Sequence, residues 1–577
     1  MQTKKTVRIG GASGFWGDSA GAAPQLVQNN EVDYVVFDYL AELTMSILSA
    51  ARLKNPQLGY ATDFVTSAMK SILPQVASGQ VKVVSNAGGM NPKACAQALH
   101  ELASSLGYKL QIQVVLGDDL LSQVPEMASQ NVQELQSGQA LPAKLLSANA
   151  YLGALPIAKA LDSGAQVVIT GRCVDSAVTL GVLIHEFQWQ AHDYDLLAQG
   201  SLAGHLIECG AQATGGLFTD WETVPDWANI AYPIIECDAD GSFMVSKPQN
   251  TGGLVSVATL SEQLVYEIGD PAHYLLPDVI ADFTQVRMLQ AGPHRVRVQG
   301  ASGRAPTDFY KVSATYLDGY KCSGQLTIVG MNAYEKAKRT GQAILERTRN
   351  MLTQNNWPDY SATHLEVLGA ESAYGNLAHP AVFASRELVL RLTVTHIKKE
   401  ALDLFAKEIA PAGTSFAPGT TGAGGGRPAV SPRIKQFAFL WPKNKVAVSL
   451  WDINTDCATS VMAYAEAQKP ILEKPSFGLA IQSEIPVGDR FIEGPLIQWA
   501  YARSGDKGNI SNIGVIARKA EYLPYIKSAL STEAVKNYLS FSVKGNVTRY
   551  DLPGIDAINF VCEQALDGGG MASLRND

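Results

Sequence analysis

Residues 7–11, 32–37, 81–85, 112–116 and 167–170 are short apolar runs rich in Val and Ile, set apart by longer stretches with helical spacing. Unbroken β-branched runs belong to strands covered on both faces, so the pattern predicts a parallel sheet with helices on each side. Each run stops at Gly, Asn or Asp: Gly10-Gly11, Asp38, Asn86, Gly117-Asp118 and Gly171. These polar turns are expected on one edge of the sheet, where open α/β sheets take their ligands.

Beyond about residue 220 the pattern loosens. Residues 254–260, 279–286, 296–298 and 312–316 are short and alternating, more antiparallel than parallel, and 334–352 reads as one long helix. Residues 466–491 carry Pro470, Pro475 and Pro486 and read as a linker. After them come strands at 496–503 and 512–518, a helix at 522–539, and strands at 541–549 and 558–562. The expected fold is therefore an α/β N-terminal domain with a mostly parallel sheet (about 1–220), a mixed α+β part (about 221–465), and a small ferredoxin-like α+β domain at 492–577.

Composition narrows the function classes. The net charge is −8, so the overall field repels nucleic acid and anionic membranes, and an anionic ligand must be met by local cations or amides. No apolar run reaches the length of a membrane span, and no signal-peptide core follows Met1. The seven cysteines lie far apart without a CxxC pair, which argues against a disulfide framework or a thiolate-rich zinc site and favours a reduced, cytoplasmic setting. A homo-oligomer is the base-rate expectation for a chain of this size.

Reactive groups concentrate between Gln166 and Gly216. The strand at 167–170 ends in Gly171-Arg172-Cys173-Val174-Asp175, and Gly204-His205-Leu206-Ile207-Glu208-Cys209-Gly210 follows some thirty residues later. Arg172 and Asp175 in so apolar a segment must pair or serve a ligand. His205 and Glu208, three apart, face one another on a helix and suit acid–base work; without a nominated third ligand they make a weak metal site, and no metal is expected. Cys209 is either a nucleophile or a packed small hydrophobe. Gly-rich turns supply candidate anion cradles: Gly11 and Gly14, then Asn86, Gly88 and Gly89, and the loop Thr420-Thr421-Gly422-Ala423-Gly424-Gly425-Gly426-Arg427. The first lacks the GxGxxG frame of a dinucleotide loop, and each has a plain reading as a tight or mobile turn. Arg503 and Lys507, within the polar run 501–512, are candidates for carboxylate or phosphate recognition.

Taken together, residues 10–18 (GGASGFWGD), 170–177 (TGRCVDSA), 204–210 (GHLIECG) and 502–509 (ARSGDKGN) resemble the acyclic terpene utilisation protein A family. The resemblance covers nearly the whole chain. It implies a large N-terminal domain, a small ferredoxin-fold C-terminal one, and a place in breakdown of citronellol- or geraniol-type terpenes or related branched acids through CoA thioesters. It supplies no reaction and no catalytic residue. The resulting expectation is an enzyme on a branched or isoprenoid acyl-CoA, by hydration, C–C lyase or thioester hydrolysis chemistry, with CoA only as part of the substrate. The alternatives are a non-catalytic acyl-CoA-binding or scaffold subunit working with a pathway enzyme, and a nucleotide-dependent ligase using the 419–428 loop.

Overall fold

The computed structural model describes residues 5–464, 492–569 and 572–576. The 466–491 linker expected from sequence lies outside them. All five apolar runs form strands: β1 (Thr6–Gly11), β2 (Tyr34–Phe37), β3 (Lys82–Ser85), β4 (Ile112–Leu116) and, after β5 (Ser147–Ala150), β6 (Val167–Thr170). Their order across the sheet is β1-β2-β3-β6-β4, every neighbour parallel. β6 is therefore central and its four residues are fully buried, which explains an apolar run with no alternation.

Antiparallel strands widen this sheet on both sides. β7 (Ile234–Asp238) pairs with β1 and β8 (Phe243–Ser246) with β7, while Ser449–Asp452 joins the far edge at β4. β5 leaves the parallel sheet and pairs instead with the 21-residue strand Phe309–Val329, the spine of a second, antiparallel sheet. The parts divided at about residue 220 in the sequence thus share both sheets. The long helix is found at Ala333–Gln354. Residues 254–260 differ from expectation: Ser256 caps a helix, Val257–Val265, through a capping box with Thr259. The Ser256 side chain accepts from the Thr259 amide, so a local cap overrides the β-like Leu-Val-Ser-Val pattern.

The C-terminal domain is a four-stranded antiparallel sheet with two helices between its second and third strands. Three details differ from the sequence reading. The first strand is Ala500–Lys507, because Pro495 sets a short turn over residues 496–498. The single helix is two, Leu523–Ala529 and Thr532–Tyr538, interrupted where Ser531 caps the second. The third strand starts only at Val547, after the Gly545 turn packs onto Glu563. Val515, Ala517, Ile558 and Phe560 form the core under its own helices. The opposite face carries Asn512, Gly514, Ile516 and Asn559 and lies on helix Val257–Val265. Added to Gly514, a Cβ would stand 2.1 Å from Val265 Cγ2, and one on Gly505 2.5 Å from the Glu267 amide.

Candidate functional site

The polar turns at the carboxyl ends of β2, β3, β4 and β6 meet as expected from their spacing, and they spend most of their hydrogen bonds on each other. The Asn86 amide donates to Asp38 and its carbonyl accepts from the Tyr39 N–H at 2.7 Å. Asp118 accepts from the Arg172 N–H and from Asn149, both at 2.8 Å. Burial pushes the Asp118 carboxyl up to about 6. Burial, then the neighbouring Asp175 charge, raises Asp38 well above the usual carboxyl range.

Arg172 is the hub. It is 2% exposed; its guanidinium donates to the Leu40 carbonyl and to Asp175, each at 2.7 Å, and stacks 4.1 Å from the Tyr151 ring centre. Its charge is thus matched by a carboxylate, a carbonyl and an aromatic face, which makes burial of a guanidinium tolerable.

Helix Tyr194–Ile207 brings His205 and Glu208 alongside. His205 Nδ1 lies 2.9 Å from Glu208 Oε1, and Nε2 lies 3.2 Å from the Leu264 carbonyl. A carbonyl only accepts, so Nε2 carries a hydrogen and the second proton is shared between Nδ1 and Glu208. Burial alone would depress the imidazolium; the Glu208 carboxylate outweighs it and raises the His205 pKa. With both nitrogens engaged and the ring flanked by Tyr274 and Phe283, His205 steadies Glu208 and is not among the residues lining the cavity described below. Burial also pushes the Cys209 thiol well above its ordinary value, which keeps it protonated and poorly nucleophilic at neutral pH.

The C-terminal domain supplies the next charges. Lys507 donates to Glu267 and lies 3.7 Å from Asp175. Arg503 donates to Gln212 and to the Leu217 carbonyl and stacks on Tyr266 at 4.6 Å. Asp175, Lys507 and Glu267 together stand on the wall of a cavity of about 430 Å³. The rest of that wall is mainly apolar, with Val174, Ile268, Tyr274, Leu276, Ile510 and Val561, and both domains contribute to it. Its size falls among small-molecule sites, and a few polar groups on an apolar wall is their usual make-up.

The Gly-rich candidates have other placements. A Cβ on Gly11 would meet the Ile207 carbonyl at 2.5 Å, and one on Gly14 the Cys209 backbone at 2.7 Å, so these glycines let the end of helix Tyr194–Ile207 close on the β1 turn. Gly88 does the same against Thr170, at 2.5 Å, and Gly89 takes φ +49° beside Leu48. The 419–428 loop is not brought to the cluster. Thr420 and Thr421 pair with the far end of the long strand, at Ile328 and Thr327, while β5 pairs with its residues 312–315. A dozen strand residues span up to about 40 Å. Gly424, Gly425 and Arg427 are exposed there.

The family models complete this picture. The model described as "Acyclic terpene utilisation family protein AtuA" matches residues 7–451, and the "AtuA ferredoxin-like domain" matches 494–577. The chain belongs to the acyclic terpene utilisation family. It matches no curated protein and no solved structure. Both walls of the cavity lie inside the matched regions of this family member, Asp175 and Glu267 in the first and Lys507 in the second. Glu267, Tyr151 and Lys311 also line the cavity and were not singled out in the sequence. Glu267 had one available signal: it is a charged residue between an apolar helix and the Gly269-Asp270-Pro271 turn, held at φ +57°, a conformation that non-Gly residues adopt sparingly. Among the described residues, no group of three or more His, Cys, Asp or Glu is placed to hold a metal ion, and no helix is long and apolar enough to cross a membrane.

Proposed function

We propose that this family member is an enzyme of acyclic terpene or branched-acid breakdown that binds an isoprenoid or branched acyl-CoA. The acyl chain occupies the apolar part of the 430 Å³ cavity, and acid–base chemistry takes place at its charged end. The observation that supports this reading is the meeting of Asp175, Lys507 and Glu267 on a mainly apolar wall that also carries Lys311, Asp270 and Asp506. A lysine between two carboxylates can offset charge growing on a thioester oxygen, while a neighbouring carboxylate moves the proton. Arg172 fixes Asp175 from behind. Hydration and C–C cleavage both fit this set; covalent thioester hydrolysis fits less well, since the Cys209 thiol is held protonated.

Thermal-shift titration with CoA, geranyl-CoA and isovaleryl-CoA tests binding, because a ligand of the folded state raises the melting point by mass action. The isoprenoid thioester is expected to raise it, and Glu267→Gln or Lys507→Ala to cut kcat/KM for that thioester by roughly a hundredfold or more. Full turnover in both variants would overturn the assignment.

One observation favours a second reading, a binding subunit for a partner enzyme. Leu135, Leu275, Phe309 and Leu440 line the cavity at its rim and are between 44% and 57% exposed. Stoichiometric co-purification with a pathway enzyme, and no turnover by the isolated chain, would support it.

A further inference from the structure

Two adjoining clefts lie beside β1, apart from the acyl cavity. The larger, about 730 Å³, is bounded by helix Ala22–Val27, helix Lys70–Ala77 and residues 227–232, and no charged residue lines it. The smaller, about 270 Å³, lies past the carboxyl ends of β1 and β2 and carries Asp18 and Asp63. Ser19 lines both, so the two share a wall.

Three features of these walls point to a ligand. Trp227 at the mouth of the larger cleft is 57% exposed and meets Trp221 edge to face at 5.7 Å. It follows Asp226, held at φ +47°, a left-handed conformation that sets the direction in which the chain enters Trp227. Gln75 Oε1, from the larger cleft's wall, is buried without a hydrogen-bond partner. A buried carbonyl left without a donor is costly, and a ligand N–H reaching it would recover that cost. Finally, the turn Phe64–Met69 that lines the smaller cleft with Ser67 and Ala68 is π-helical, a geometry concentrated at functional sites.

We propose that the paired clefts form a nucleoside site, distinct from the acyl cavity and independent of its chemistry. The flat base stacks on Trp227 and its amino edge donates to Gln75 Oε1. The ribose hydroxyls donate to the carboxylates at the other end, Asp18 and Asp63. Asp63 Oδ1 already accepts from the Trp16 indole at 3.0 Å, and Asp18 from the Gly14 amide at 2.9 Å, so both carboxylates are fixed in place. No Lys or Arg lines either cleft, and two carboxylates repel phosphate. The site therefore favours a nucleoside over its nucleotide.

Calorimetric titration of the full-length chain with adenosine, inosine and adenosine 5′-monophosphate tests this. Saturable adenosine binding is expected, with inosine weaker because it sets an oxygen acceptor against Gln75 Oε1 where adenosine has its amino donor, and the monophosphate weaker still. Trp227→Ala, at an exposed position that spares the fold, is expected to weaken adenosine about tenfold, the scale of base–aromatic stacking. Gln75→Leu should abolish the preference for adenosine over inosine. No adenosine binding, unchanged affinity in Trp227→Ala, or a monophosphate that binds as tightly as adenosine would overturn the proposal.

Discussion

Glu262 is 3% exposed in helix Val257–Val265, with both carboxylate oxygens facing the Thr219 amide at 3.2 and 3.3 Å. Burial pushes it up to about 7 against the pull of those hydrogen bonds. A carboxyl whose folded pKa exceeds its unfolded one favours folding fully at low pH, and that contribution is lost as pH rises through the folded value. The melting point is therefore expected to fall between pH 5 and 8, and Glu262→Gln to flatten that dependence and melt above the native chain at pH 8. A pH series of thermal melts checks it. Close approach gives a second prediction at this scale. Gly514→Ala places a methyl carbon 2.1 Å from Val265 Cγ2, where the helix and the C-terminal sheet touch. Overpacking of this kind costs about 1–3 kcal/mol, so chemical denaturation should show a loss in that range.

Elements with their own local signal were legible in the sequence. The five parallel strands needed nothing beyond unbroken Val and Ile runs with Gly, Asn or Asp at the end, because both their faces are covered. Helix Val257–Val265 was read as strand, since the decisive signal is a two-residue cap, Ser256 with Thr259, and not the periodicity. Ser256→Ala should therefore lower stability by about 1 kcal/mol, measurable as a reduced melting point. The site divides along the same line. Arg172 and Asp175 stood out because charges in an apolar segment need a partner. Glu267 did not, because what makes it notable is Lys507, its partner 240 residues away. Glycine patterns misled for a physical reason: close packing of two backbones and cradling of an anion both require a missing Cβ, and sequence does not separate them. Gly11 and Gly14 are occupied by the former.

At the scale of the whole molecule, three cations tie the end of the chain to the long antiparallel sheet. Lys321 donates to the Ser573 carbonyl at 3.2 Å, Arg391 to that of Leu574 at 2.8 Å, and Arg433 to that of Ala572 at 3.2 Å. Truncation after Gly569 removes all three acceptors. It is expected to lower the melting point and to loosen protection of the C-terminal sheet in hydrogen exchange, while leaving the parallel sheet protected.

The cavity wall shared by the two domains also has a consequence in time. Glu267 is made 240 residues before Lys507, roughly 12–48 s earlier at ordinary translation speeds of about 5–20 residues per second. Throughout that interval the five parallel strands are already made, while the cavity has only the first of its two walls. The apolar side of helix Val257–Val265 waits on the ribosome for the sheet that will cover it. A chain cut short in the last domain is then expected to leave that apolar side uncovered and to bind chaperones more than the whole chain does.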